Sequence, residues 1–149
     1  MLKITKLTES TMLSYFKVGE VFLAPLVVRT ALILTGSGEK ADARVGLAMP
    51  DGQEVFQFVV EAKTRATPQA IQLAVAQARS AASEQGEWPM ILVPYLAPER
   101  ILELEKEGVS GVDLCGNGVV VVPGRLWVVR VGEPNLYRDS RPLSNPYRG

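Results

Sequence analysis

Residues 42–63 read DARVGLAMPDGQEVFQFVVEAK, two apolar-leaning runs on either side of Pro50-Asp51-Gly52, with an acid near the open end of each run. Pro, Asp and Gly in that order suit a reversal of the chain, and apolar runs flanking such a signal read as paired strands. The segment is therefore expected to form a β-hairpin. Side chains alternate faces along a strand, so Phe56, Phe58, Val60 and Ala62 form one apolar row while Gln57, Val59, Glu61 and Lys63 share the other. If the two arms are symmetric about Asp51 and Gly52, Asp42 lies opposite Glu61. Opposed side chains on one face have Cβ atoms about 4.5–5.5 Å apart, where two carboxylates repel unless a cation lies between them.

The rest of the composition narrows what that cation can be. The 149-residue chain has no histidine and a single cysteine, Cys115. This removes Ser-His-Asp and Cys-His catalysis and imidazole zinc ligands, and leaves carboxylates, lysine, hydroxyls and backbone groups. Oxygen ligands suit Mg²⁺ (or Mn²⁺), which keeps several waters and takes one or two carboxylates beside phosphate oxygens. Lys63 completes the set, because an ammonium beside such a site can orient water and stabilise charge developing on phosphate. The spacing of Glu61 and Lys63 carries little by itself, since about 0.6 such pairs arise by chance in this composition. Its weight comes from the apolar strand, the opposed Asp42 and the helix that follows. The competing reading of Glu61 and Lys63 is a solvated strand face with a weak ion pair.

Downstream, Thr67 and Pro68 suit an N-cap and first helical position, and Ile71, Ala74, Val75, Ala78 and Ala82 recur at helical spacing to about Glu84. Met90 to Val93 reads as a strand buried on both faces, so strand, helix and strand imply a right-handed crossover. Pro98 and Gly108 bracket a second helix in which Ile101, Leu102 and Leu104 are available to pack. Val109–Leu114, Val119–Val122 and Leu126–Val131 complete the sheet. Before the hairpin, a short helix near Ser10 to Phe16 and β-leaning material from Val18 to Leu34 are expected. The fold class is thus α/β, a mixed central sheet flanked by helices, in one domain over residues 1–132. Residues 133–149 read as a linker or surface arm, with further sequence expected beyond it. Acidic and basic residues balance at 16 each, so nucleic-acid binding needs a local patch. The apolar runs are too short to cross a bilayer, and one cysteine with no cleavable signal points to the cytoplasm.

With the hairpin acids, Glu61-Ala62-Lys63 and the crossover helix in place, Asp42 to Val93 resembles the core of the PD-(D/E)XK nuclease superfamily. The resemblance implies a restriction-endonuclease-like core and hydrolysis of DNA phosphodiester bonds. It implies Mg²⁺ held by Asp42, Glu61 and the carbonyl of Ala62, with Lys63 assisting water. GVSGVDLCGNG, residues 108–118, is similar to a Gly-X-Asp-Leu-X-Gly-Asn pattern of a prokaryotic subgroup of that superfamily. A literal Pro-Asp occurs at Pro50-Asp51, but Asp51 is a turn residue about 33 Å of strand away from Glu61, and Asp42 follows Ala41 instead of proline.

Supporting candidates are Gln77 on the crossover helix, and Arg65 and Arg79, with Arg100, as phosphate contacts. Glu9 or Glu20 is a candidate acid from the first helix. For Gln77 and the arginines, plain exposure is the competing reading; for Asp113 and Asn117 it is turn structure, and for Cys115 a small buried apolar residue. Implied partners are DNA and, as one option, a second copy in a homodimer, with no membrane. The functional readings are a metal-dependent endonuclease, a catalytically inactive nucleic-acid-binding or regulatory module of the same fold, and a protein-interaction domain.

Overall fold

The structure, a computed structural model, describes residues 7–38, 40–85 and 87–137. Among them seven strands form one mixed sheet in sequence order: β1 Val27–Ile33, β2 Ala43–Ala48, β3 Phe56–Ala62, β4 Trp88–Val93, β5 Ser110–Asp113, β6 Gly118–Val122 and β7 Leu126–Arg130. Pairing is antiparallel from β1 to β3 and from β5 to β7, and parallel from β3 through β5. Parallel neighbours need a crossover. Helix α2, Pro68–Gln85, supplies the one between β3 and β4, and α3, Pro98–Glu107, supplies the one between β4 and β5. The class expected from the sequence, α/β with a mixed sheet flanked by helices, is the class observed.

The hairpin has the symmetric register. Ala43 pairs with Val60, Val45 with Phe58 and Leu47 with Phe56. The loop at its tip is longer than the Pro50-Asp51-Gly52 signal alone. Gly52 N–H donates to the Met49 carbonyl at 2.9 Å, closing a turn around Pro50 and Asp51, but pairing stops at Leu47 and Phe56. The unpaired residues divide equally between the arms, so the register survives the longer loop.

The alternation along β3 sorts its side chains between two cores. Phe56, Phe58, Val60 and Ala62 pack with Met12, Leu13, Phe16, Leu23 and Leu26, from the short helix α1, Glu9–Leu13, and the segment after it. Val59 packs with Ala81 and Ala82 of α2, while Ile91 and Val93 of β4 meet Ile71, Ala74, Ile101 and Leu104. The α2 start is as read: Thr67 Oγ1 accepts the Ala70 N–H at 3.2 Å. Helix α3 ends where Gly108 adopts a left-handed φ of 72°, a conformation that costs glycine little. Leu102 corrects the expected packing face: Ile101 and Leu104 are buried, whereas Leu102 is 57% exposed.

Residues 133–137 are a surface segment without helix or strand, anchored by side-chain hydrogen bonds. The Glu133 N–H donates to Asn117 Oδ1 at 2.9 Å, Asn117 Nδ2 donates to the Glu133 carbonyl at 3.2 Å, and the Tyr137 and Tyr15 hydroxyls are 3.1 Å apart. The remainder of the expected linker, 138–149, lies outside the described residues. Among the described residues no helix is long and apolar enough to cross a membrane.

Candidate active site

Asp42 sits immediately before β2, fixed from both sides. Its N–H donates to the Val60 carbonyl at 3.0 Å, its own carbonyl accepts the Leu34 N–H at 2.8 Å, and its Oδ2 accepts the Ala62 N–H at 2.8 Å. The last bond is the informative one. It ties the Asp42 carboxylate to the residue between Glu61 and Lys63, at the end of the facing strand.

Glu61 is buried, at 4% exposure, and its Oε2 has no hydrogen-bond partner. The solvated-face reading therefore does not apply to it. A buried carboxylate oxygen without a partner is costly, and the group responds by holding its proton. Burial first, then the charge and hydrogen-bonding contact of Asp42, raise the Glu61 carboxyl to about 7, with Lys63 acting in the opposite direction. Lys63 extends the β3–β4 pairing through its N–H, which donates to the Leu92 carbonyl at 3.0 Å. Its side chain is half-buried.

The structure also distinguishes the two first-helix candidates. Glu9 lies in the first turn of α1, behind the N-cap Thr8. Its carboxyl is raised by burial and then by the Asp42 charge, and is lowered by Lys63, so it belongs to the same electrostatic group. Glu20 is exposed and outside the helix. The signal for Glu9 is Thr8 itself, a residue type that starts helices and places the next acid in the first turn.

None of the remaining candidates makes a hydrogen bond or ion pair with Asp42, Glu61 or Lys63 among the described residues. Gln77 is on the exposed side of α2 and, among the described residues, makes no hydrogen bond to the acids. Arg79 is engaged with α3: its Nη2 donates to the Glu107 carbonyl at 2.9 Å and lies 3.5 Å from the Glu107 carboxylate. Arg100 pairs with Glu103 at 2.9 Å. Arg65 is exposed in the loop after β3. Asp113 and Asn117 are buried and occupied by structure. Asp113 accepts the N–H groups of Leu96, Cys115 and Asn117 and the Asn117 side-chain amide. Burial pushes the Cys115 thiol up, which disfavours the thiolate a nucleophile requires.

Chemically, the hairpin end offers oxygen donors, one of them unsatisfied, beside an amine. No three Asp, Glu, Cys or His side chains among the described residues form a group positioned to hold a metal, so a cation here would rely on two carboxylates, main-chain oxygen and water. That set is the habit of Mg²⁺, and the unpartnered Glu61 Oε2 fits it. No protein-family model, no curated protein and no solved structure matches the chain.

Proposed function

We propose that the chain is a restriction-endonuclease-like protein of the PD-(D/E)XK kind that hydrolyses DNA phosphodiester bonds with Mg²⁺ or Mn²⁺. The observation that carries this reading is the buried, unpartnered Oε2 of Glu61, set against Asp42 and beside Lys63 at the open end of a hairpin. Topology supports it: an antiparallel three-stranded unit, a crossover helix and a parallel fourth strand follow one another in the chain.

Asp42, Glu61 and the Ala62 carbonyl would hold the ion, which when bound supplies Lewis acidity at a phosphate oxygen. The Ala62 N–H, by bonding Asp42 Oδ2, keeps that carboxylate turned toward Glu61. The ammonium of Lys63 orients water and offsets negative charge gathering on the phosphate. Exposed arginines, Arg65 first, meet the backbone of the nucleic acid.

The test is nicking of supercoiled plasmid by the wild type, Glu61→Gln and Lys63→Ala. Wild type is expected to nick with Mg²⁺ or Mn²⁺ and not with EDTA, and each variant to lose about a hundredfold or more. Equal nicking by all three proteins defeats the reading. DNA binding by the wild type that ignores EDTA and leads to no cleavage favours the inactive module instead.

A further inference from the structure

Beyond the acids, the chain carries a cleft of about 560 Å³ whose wall includes Thr64, Arg65, Tyr95, Arg100, Asn135 and Tyr137. It lies at the carboxyl ends of β3 and β4, where α2 and α3 begin. Two features set it apart from the rest of this electrically neutral chain. Its lining holds two tyrosines and two arginines and no carboxylate; Arg100 is paired with Glu103 outside the lining, which leaves Arg65 as the cation the cleft offers. Arg65 makes no hydrogen bond or ion pair among the described residues, so its guanidinium has donors to offer. Tyr137 is held in place, because its hydroxyl meets that of Tyr15 at 3.1 Å. This bond, with burial, pushes the Tyr137 hydroxyl up to about 12. A ring positioned in advance loses little side-chain entropy on stacking.

The cleft also adjoins the acid site. Arg65 is two residues from Lys63, so the chain between them spans at most roughly 7 Å, of the order of one extended nucleotide. A volume of about 560 Å³ is in the range of small-ligand pockets and matches a single base better than a stacked pair. Aromatic rings beside a cationic path are how proteins take up unpaired bases, since every exposed base has a face on which to stack. Bases inside a duplex have both faces covered.

We propose that this cleft receives one unpaired nucleotide of a DNA strand, its base against Tyr95 and Tyr137 and its phosphate at Arg65, so that the substrate of the acid site is single-stranded or frayed beside the bond cut. This rests on the hydrolase reading above, but its test does not need turnover. Fluorescence anisotropy of a labelled oligothymidylate and of a labelled duplex is measured in EDTA with wild type, Arg65→Ala and Tyr137→Ala, each checked for an unchanged melting temperature. The strand is expected to bind at least about tenfold more tightly than the duplex. Arg65→Ala is expected to flatten the salt dependence of log affinity by about 0.7, and Tyr137→Ala to weaken strand binding by about fivefold to a hundredfold.

Equal affinity for strand and duplex overturns the proposal, as does unchanged binding in both variants. Displacement of the strand by inorganic phosphate as readily as by unlabelled oligothymidylate also overturns it, leaving only an anion site. Metal-dependent cleavage of duplex without strand binding defeats the cleft alone, whereas strand binding with no cleavage defeats the hydrolase reading alone.

Discussion

At Glu61, burial and the Asp42 charge act in the same direction and hold the carboxyl near 7, well above its ordinary value. The consequence for stability has a definite sign. Between about pH 4.5 and 7 the folded chain keeps a proton that the unfolded chain has released, so stability falls as pH rises through that window and stays low above it. At about 1.4 kcal/mol for each pH unit, the loss is on the order of 3 kcal/mol. Denaturant unfolding of the metal-free protein is expected to show this decline from pH 5 to 8, and Glu61→Gln to remove most of it. A wild-type profile with the same slope as the variant contradicts the burial argument. Mg²⁺ needs the ionised carboxylate, so its affinity is expected to rise across the same window. Glu9 adds to the negative field that opposes ionisation of Glu61.

Among the elements, the hairpin and the turn after β5 show how similar residue types come to do different work. Asp113 and Asn117 form a closed set of hydrogen bonds that holds the Cys115–Asn117 turn to Leu96 and to the Glu133 backbone. Asn117→Ala leaves Asp113 and the Glu133 N–H short of partners and is expected to destabilise by about 2–4 kcal/mol in denaturant unfolding. Because that turn is structural, Mn²⁺ affinity is expected to be unchanged; a lost metal site in a folded variant contradicts the assignment. The hairpin register was legible because Pro50, Asp51 and Gly52 mark its centre and because period-two alternation leaves only one apolar face for Phe56, Phe58, Val60 and Ala62. Thr67, Pro68 and Gly108 made α2 and α3 legible in the same local way. The choice between Glu9 and Glu20 was not legible, since it depends on where a five-residue helix docks, and no local propensity determines that. The anchoring of residues 133–137 through Asn117 was hidden for the same reason: its partners are distant in sequence, and the segment lacks periodicity.

At the scale of the molecule, the mixed sheet brings the work to one end. The antiparallel unit delivers Asp42 and Glu61 side by side, and the parallel β3–β4 pairing, continued by Lys63 and Leu92, sets the amine beside them. The two crossover helices then begin around the neighbouring cleft that holds Arg65 and Tyr95. Burial of β3 between two cores gives the site a rigid base, which is the condition for carboxylates to hold an ion without rearranging. Hydrolysis at this site requires these two carboxylates to share a divalent cation. Isothermal titration of Mn²⁺ into the wild type and Glu61→Gln at pH 8 tests this most directly. One ion bound per wild-type chain and at least about a tenfold loss of affinity in the variant is the expected result, and indistinguishable titrations, or no binding to either protein, contradict it.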